Sequence, residues 1–425
     1  MRSRALVGVG CLTATFVVGV AACGEDDSGT AAKSGTPTAA PGKTLHLYSS
    51  VPLQGAARVQ SEALVNGAKL ALEQAGGKAG PHTIEYESLD DSTAQAGSWT
   101  PEAESANALK AAQDDATAVY IGTLNSGAAK VAIPILNEAG VPMISPANTY
   151  VGLTTDDPGS EPGEPDKYYP TGTRTYTRIV PKDTIQAAAL VTLMKQEGCT
   201  KVAMTNDKEV YGAGLARVVE LSAEEQGLEL TANDAVDKNA SNYRSLAQKA
   251  KQAGADCYLY SGITANNAVQ QFKDFAAALG PDAKLYGPDG VADSGFVSEK
   301  DGGVPKALGP RVKVTIATLS PDQYPPDGQK FFEDFTAKYG IANPDPYAIY
   351  GYEAMKLALD AIERSGTGER PDIIKALFAT KDRDSVLGTY SIDENGDTTL
   401  TDYGVYKVVD GELAFDQTIK AQAAG

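Results

Sequence analysis

Apolar and polar positions follow two periods along the chain. From Thr44 onward, short apolar runs typical of buried strands precede segments in which apolar residues recur every three or four positions, as in amphipathic helices. In residues 56–75, for example, Leu64, Ala68 and Leu72 form one apolar stripe. The first half of the pattern predicts strands at 44–50, 83–88, 117–121 and 142–144 and helices at 56–75, 99–113 and 127–139.

A polar segment separates this first series of strands and helices from a second, similar series. Residues 153–176, LTTDDPGSEPGEPDKYYPTGTRTY, contain four prolines and many charges, which predicts a long loop inserted near a binding cleft. The strand and helix pattern then restarts. It predicts strands at 176–180, 201–205, 228–235, 256–260 and 284–286 and helices at 184–197, 212–226, 242–253 and 265–279.

Alternation of strand and helix predicts an α/β fold of two Rossmann-like lobes with parallel sheets. After a strand at 311–317 come helices at 326–339, 347–364 and 371–379 and a β-rich tail, which are too short to form domains of their own. We expect them to complete the two lobes, joined by three crossings near 177–180, 316–320 and 384–388 that act as a hinge. The predicted bounds are 44–177 plus 318–385 for the N-terminal lobe and 178–317 plus 386–425 for the C-terminal lobe.

The N-terminal segment predicts export. Arg2 and Arg4 precede an apolar stretch that ends in small residues, so residues 1–22 have the layout of a signal peptide. Val20-Ala21-Ala22-Cys23 resembles the bacterial lipobox, in which cleavage leaves a lipid on the Cys. We therefore expect lipidation of Cys23 and a flexible tether over 23–43, the alternative being an ordinary signal cleaved nearby.

The net charge limits the possible partners of the protein, and the cysteine positions suggest how each cysteine is used. The formal charge of -18 argues against nucleic acid and against an anionic membrane surface as partners, so we expect contact with the membrane only through the lipid. We also expect a monomer. Of four cysteines, Cys11 lies in the signal and Cys23 would be lipidated. Cys199 and Cys257 begin strands that would be neighbours, which fits either a disulfide or two separate buried thiols.

Catalytic and metal-binding patterns are absent from the sequence. The two histidines, His46 and His82, lie near no nucleophile or metal-ligand spacing, so we expect no enzyme activity, no metal and no cofactor. The acidic stretch 393–397 hints at calcium but is better interpreted as a hairpin turn.

Short polar loops, here called corners, follow several of the predicted strands and precede the next helix. Residues 123–127 (TLNSG) and 145–150 (SPANTY) offer hydroxyls and free amides at the carboxyl ends of neighbouring strands, where a small carboxylate could bind, although N-capping alone would explain either corner. In the second lobe Tyr211 and Asp289 follow strands in the same way. Tyr211 could cover a ligand or fill a cleft wall, and Asp289 could bind an ammonium or shape its turn. Together the corners suit a zwitterion.

The stretches PLQG, NGAKLALEQAGG, YIGTLNSGAAKVAIPILNEAGVPMISPANT, YGAGLAR and YGPDGV resemble the branched-chain-amino-acid-binding (Leu/Ile/Val) receptors of ABC transporters, within the type I periplasmic binding proteins. The resemblance runs from about Leu45 to Val409. It implies that the site residues hold an amino acid: Ser126 and Thr149 its carboxylate, Ala147 its ammonium through a carbonyl, Asp289 the ammonium from a position where the family usually has Glu, and Tyr211 as the cleft tyrosine.

The resemblance also implies an extracytoplasmic receptor that delivers a small amino acid, branched-chain or otherwise aliphatic, to ABC permease subunits. A sensing subunit of the same fold, or a receptor for an amide, an aromatic acid or a short carboxylate, are the alternatives. Ile263 and Thr264 stand where the family often has aromatic residues, so the side-chain preference is open.

Overall fold

The structure, a computed structural model, describes residues 42–421. The predicted signal and most of the tether, with Cys11 and Cys23, lie outside these residues. In chain order the strands are β1 (Thr44–Val51), β2 (Lys78–Ala79), β3 (His82–Asp90), β4 (Ser92–Thr93), β5 (Ser98–Trp99), β6 (Thr117–Gly122), β7 (Met143–Ser145), β8 (Tyr176–Arg178), β9 (Lys201–Asn206), β10 (Glu229–Ala235), β11 (Cys257–Ser261), β12 (Lys284–Gly287), β13 (Val312–Ile316), β14 (Asp402–Val409) and β15 (Glu412–Lys420).

Helices connect most of these strands. They are α1 (Arg58–Gln74), α2 (Pro101–Gln113), α3 (Ser126–Glu138), α4 (Asp183–Gln196), α5 (Val210–Gln226), α6 (Arg244–Gln252), α7 (Ala268–Leu279), α8 (Ser294–Val297), α9 (Pro326–Tyr339), α10 (Ala348–Ser365) and α11 (Arg370–Phe378).

Two mainly parallel sheets define two lobes. The first has the strand order β2-β3-β1-β6-β7-β8 and the second the order β10-β9-β11-β12-β13-β14-β15. Only β2 in the first sheet, and β14 and β15 in the second, pair in antiparallel fashion. The predicted α/β class with two lobes is thus confirmed.

The chain passes between the sheets at three places, after β8, after β13 and before β14. Helix α10 returns to the first sheet and packs along α1. The contact requires two glycines, because a Cβ on Gly67 would lie 2.1 Å from the Ala348 carbonyl oxygen and one on Gly351 would lie 1.9 Å from that of Leu64. The exact lobe bounds given above stay a prediction.

Helix α7 corrects one sequence prediction. A helix was expected over 265–279, but α7 begins at Ala268 because Asn267 has a left-handed backbone (φ 68°) and ends a separate 3-10 turn. The side chain of Asn266 instead donates to Asp207 (2.8 Å) and Glu209 (3.0 Å), which holds this turn beside the segment that follows the neighbouring strand β9. Strand β15 was missed altogether, since its sequence ELAFDQTIK alternates weakly and it forms the edge of the sheet.

A buried arginine fastens the first crossing. Arg178, fully buried at the end of β8, donates to the Asp397 carboxylate (2.6 Å) and to the Tyr150 carbonyl oxygen (2.9 Å). Burial alone would raise the pKa of Asp397, but the charges of Arg178 and Lys182 hold that pKa below its usual value. The acidic stretch 393–397 forms a turn, and its last carboxylate, that of Asp397, forms this ion pair with Arg178.

The inserted loop 153–176 joins the first lobe to a helix of the second. Glu164 accepts hydrogen bonds from the hydroxyls of Tyr150 and Tyr168, each 2.5 Å long, which ties the loop to the end of the 145–150 corner. At the loop's outer part, the Gly159 carbonyl oxygen accepts a hydrogen bond from Arg217 of α5. The insertion therefore contacts the helix that carries Tyr211.

Cys199 and Cys257 form a disulfide, with Cα atoms 5.9 Å apart. Its residues lie at the start of neighbouring strands β9 and β11, as the sequence suggested. Within residues 42–421, the one group of three side chains close enough to share a metal ion is this pair with Asp256. Because the sulfurs are bonded to each other, the pair offers no thiolate ligand.

Breaking the disulfide should destabilise the second lobe. The bond closes a loop of 58 residues, so we expect the Cys199→Ser, Cys257→Ser double variant to lose about 2–4 kcal/mol of free energy of unfolding. Urea unfolding with and without reductant measures the loss. Reductant should lower the wild-type midpoint and leave the variant's unchanged, whereas equal midpoints for both proteins without reductant would contradict this expectation.

Candidate ligand-binding site

The carboxyl ends of strands from both sheets face one cavity. It lies between corners that follow β6 and β7 in the first lobe and β9 and β12 in the second. The cavity has a volume of about 50 Å³. All five predicted ligand residues line it: Ser126, Ala147, Thr149, Tyr211 and Asp289.

The first-lobe corners form a pocket rich in hydrogen-bond donors. Ser126 is the first residue of α3, and Asn125 before it gives no side-chain hydrogen bond to the helix. The free amides at such a helix start, with its partial positive charge, attract an anion. Thr149 adds a second hydroxyl, and both side chains are buried against the cavity wall. This wall suits a carboxylate.

Two polar side chains fix the corners relative to each other. The Ser145 hydroxyl accepts hydrogen bonds from the amides of Ala147 (3.2 Å) and Asn148 (2.8 Å). The Asn148 amide group donates in turn to the carbonyl oxygens of Thr123 (2.9 Å) and Leu124 (3.0 Å). The corner after β7 is thereby locked to the corner after β6, so their donors converge.

The opposite wall carries a carboxylate held by two tyrosines. Asp289 accepts hydrogen bonds from Tyr211 of α5 (2.6 Å) and from Tyr347, just before α10 (3.0 Å). Burial raises the pKa of Asp289, although these hydrogen bonds partly oppose the rise. Among the described residues no Lys, Arg or His forms an ion pair with Asp289. Its exposed surface lines the cavity, so a bound cation could reach it.

The Pro-Asp-Gly turn holds Asp289 by close backbone packing. A Cβ on Gly290 would lie 2.5 Å from the carbonyl oxygen of Gly262 and 2.8 Å from the ring of Tyr211. Glycine at this position therefore lets the turn, the Gly262 segment and Tyr211 meet. The sequence left open that Asp289 only shapes this turn. The structure shows that Gly290 is also needed for the turn's close packing.

Sequence reasoning missed Asp183, the first residue of α4. Its side chain is fully buried. Burial, with the charge of Asp289 added, raises the pKa of Asp183 to about 8, despite the opposing effects of a hydrogen bond from the Thr149 hydroxyl and of the Arg178 charge. In the sequence, an acid opening a helix is indistinguishable from one placed to match the helix dipole.

Tyr347 was missed for a different reason. It lies 58 residues from Asp289 in sequence, next to helix α10 that packs on the first lobe. The hydrogen bond from Tyr347 to Asp289 thus spans the two lobes. A second such bond runs from the Gln60 side chain of α1 to the Ala292 carbonyl oxygen (3.2 Å). These two hydrogen bonds join the two walls of the cavity.

A cavity between two α/β lobes, with donors on one wall and a carboxylate on the other, defines a solute receptor. The family model described as "Periplasmic binding protein" matches residues 49–412. The chain belongs to this family, whose members bind solutes and are not enzymes, and the resemblance to its Leu/Ile/Val-binding branch is confirmed. Its place is outside the cytoplasm, as a substrate-binding protein that passes a small molecule to an ABC permease.

Known proteins bear out this assignment. A Leu/Ile/Val-binding protein homolog 1 of Brucella melitensis is 27% identical over 296 residues, which cover 69% of this chain and 72% of the relative. The leucine-binding protein LivK of Thermotoga maritima superposes with a TM-score of 0.75 at 22% identity, over 88% of this chain and 99% of that one. A solute-binding protein of R. palustris in complex with benzoate gives 0.71 at 21%, over 90% and 97%.

No helix within residues 42–421 has the length and apolarity needed to span a bilayer. Cys23, where the lipid is expected, lies outside the described residues.

Replacing Asp183 should change how stability depends on pH. The pKa of Asp183 is about 8 when folded and near the ordinary 3.8 when unfolded, so the folded state holds this proton more tightly. Its stabilising effect is full below pH 4 and is lost as the pH rises to about 8. Relative to Asp183→Asn, the wild-type free energy of unfolding should therefore fall by up to about 1.4 kcal/mol per pH unit over that range.

Urea unfolding of both proteins at pH 5 and pH 8, without ligand, measures this difference. Parallel stability profiles for the two proteins would show that Asp183 is ionised in the fold and would contradict the expected result.

Proposed function

We propose that the cleft binds an α-amino acid, which the receptor delivers to an ABC permease. The observation that carries the proposal is the partly buried Asp289 carboxylate, which has two tyrosine donors but no cation partner among the described residues. A ligand ammonium would supply that cation. Across the cavity, Ser126 and Thr149 with the start of α3 would bind the ligand carboxylate, and the Ala147 carbonyl would also accept from the ammonium.

The side chain of the ligand is proposed to be aliphatic, with branched-chain amino acids as the first candidates. The names of the Brucella and Thermotoga relatives support this choice. Leu124 and Ile263 supply the larger apolar side chains of the cavity wall, where Tyr211 would cover the ligand.

An aromatic acid is the second candidate. The R. palustris neighbour is in complex with benzoate, and the donors around Ser126 would suit any carboxylate. Such a ligand has no ammonium, however, and it would leave Asp289 buried without a cation. Leaving a buried charge unpaired costs free energy, so the amino acid fits this site better.

The ligand would also hold the lobes together. Closure in this class of protein bends the crossing segments, which we propose lie between the lobes 44–177 plus 318–385 and 178–317 plus 386–425. Ser126 and Thr149 belong to the first lobe and Asp289 to the second. An amino acid in contact with both walls would bind the closed state more tightly than the open one and so increase its population.

Asp289→Asn should abolish tight binding. Asn supports the same turn but cannot neutralise an ammonium, so we expect a loss of about 3–5 kcal/mol, roughly a 150- to 5,000-fold weaker affinity. Tyr211→Ala should cost less, because it removes covering area and one hydrogen bond but no charge. Calorimetric titration with the best wild-type amino acid measures both.

The control for this titration is Asp282→Asn, the same change at an exposed site of the second lobe, which should leave the affinity unchanged. If Asp289→Asn binds as tightly as the wild type, Asp289 does not pair with an ammonium and the amino-acid proposal fails.

We further propose that lipid on Cys23 anchors the receptor to the outer face of the cell membrane. Cys23→Ser should move the protein from the detergent phase to the aqueous phase in a Triton X-114 partition of expressing bacteria. Cys11→Ser, inside the signal, is the matched control and should stay in the detergent phase. Retention of Cys23→Ser in the detergent phase would rule out this anchor.

A further inference from the structure

The inserted loop 153–176 meets the second lobe outside the ligand cavity. It reaches α5, where the Arg217 side chain donates a hydrogen bond to the carbonyl oxygen of Gly159. Gly159 has a backbone φ of 107° and packs so closely that a Cβ there would lie 2.6 Å from the side chain of Val218. A residue with a side chain would fit this place poorly, so the loop is shaped to touch α5.

Tyr150 extends this contact to the ligand-binding corner. It ends the 145–150 corner, is fully buried, and its ring lies where a Cβ on Gly214 of α5 would be. Its hydroxyl donates to Glu164 of the inserted loop (2.5 Å). We call the residues that join the two lobes here the clasp: Tyr150, Gly159, Gly214, Arg217 and Val218. None of these five residues lines the ligand cavity.

The loop is anchored to the first lobe independently of the clasp. Glu164, which is buried, also accepts a hydrogen bond from the Tyr168 hydroxyl (2.5 Å). The Asn137 side chain of α3 donates to the Thr173 carbonyl oxygen (2.7 Å) and accepts from the Thr171 hydroxyl (2.8 Å). Because these bonds order the loop whether or not it touches α5, the clasp forms at little further cost in conformational entropy.

A second link from the loop contributes less. The Lys182 ammonium, before α4, lies 2.6 Å from the Asp157 carboxylate of the loop, and α4 packs on α5. The side chain of Asp157 is more than one-third exposed, so solvent screens this ion pair and it adds little stability. The hydrogen bond of Arg217 and the packing around Tyr150 therefore carry most of the link between the loop and the second lobe.

We propose that the clasp holds the cleft closed when no ligand is bound. Parting the lobes would separate α5 from the loop, which breaks the Arg217 hydrogen bond and exposes the apolar surfaces of Tyr150 and Val218 to water. Since the clasp lies outside the cavity, it acts before a ligand arrives and whatever that ligand is. The ligand-free receptor is then mainly closed, and a ligand has to supply less of the free energy of closure.

Small-angle X-ray scattering of ligand-free protein tests the proposal, with every variant made in the Cys23→Ser protein, which lacks the proposed lipid. Arg217→Ala removes the hydrogen bond from a half-buried position and leaves a strong helix former there. It should shift the ratio of closed to open protein about tenfold or more toward open. Gly214→Val should open the cleft further, because its side chain would take the place of the Tyr150 ring.

Both variants should therefore have a larger radius of gyration than the Cys23→Ser protein without ligand. The matched control is Arg244→Ala, the same change at an exposed site of α6 in the second lobe, which should leave the radius unchanged. Circular dichroism checks that each variant is folded, and if Gly214→Val is not, Arg217→Ala decides alone. Equal radii for the folded clasp variants and the control would overturn the proposal. That result would leave the amino-acid function standing, because the titrations test the ligand separately.

Discussion

A carboxylate buried between two lobes without a cation of its own is the constraint on which the site depends. Removing such a charge from water is costly, and the hydroxyls of Tyr211 and Tyr347 recover only part of the lost hydration of Asp289. Tyr211 reaches Asp289 from α5 of the second lobe, and Tyr347 reaches it from the residue before α10, which packs on the first lobe. The carboxylate thus links the two walls of the cavity through these hydrogen bonds and has no cation partner among the described residues.

Another buried acid of the chain, Asp397, does have a cation partner. Asp397 receives Arg178 at 2.6 Å, and that arginine also binds the carbonyl oxygens of Asn148 and Tyr150. This internal pair stabilises the segment that follows the ligand-binding corner and the crossing between lobes. Asp397 therefore has a cation partner within the fold. Asp289, which lines the cavity, has none among the described residues, and this is the arrangement expected where the partner is the ligand.

The parts of the fold that sequence could predict are those encoded locally. The strand and helix alternation is visible in the apolar period, and the carboxyl ends of parallel strands must share an edge, so Ser126, Ala147 and Thr149 could be assigned to one wall. The local signals failed where side-chain contacts override propensity, as at Asn267, whose left-handed backbone shortens α7. They also failed for Asp183 and Tyr347. Tyr347 reaches Asp289 through the packing of α10, and α4 brings the charge of Asp183 close enough to interact with that of Asp289. No local residue pattern encodes either arrangement.

The arrangement of the bound ligand tests the central claim most directly. A crystal structure of the receptor with its tightest amino-acid ligand should place the α-ammonium within hydrogen-bond distance of the Asp289 carboxylate. The ligand carboxylate should lie against the hydroxyls of Ser126 and Thr149 at the start of α3. A ligand that leaves Asp289 without a positive group, or that binds outside the cleft, would contradict the account.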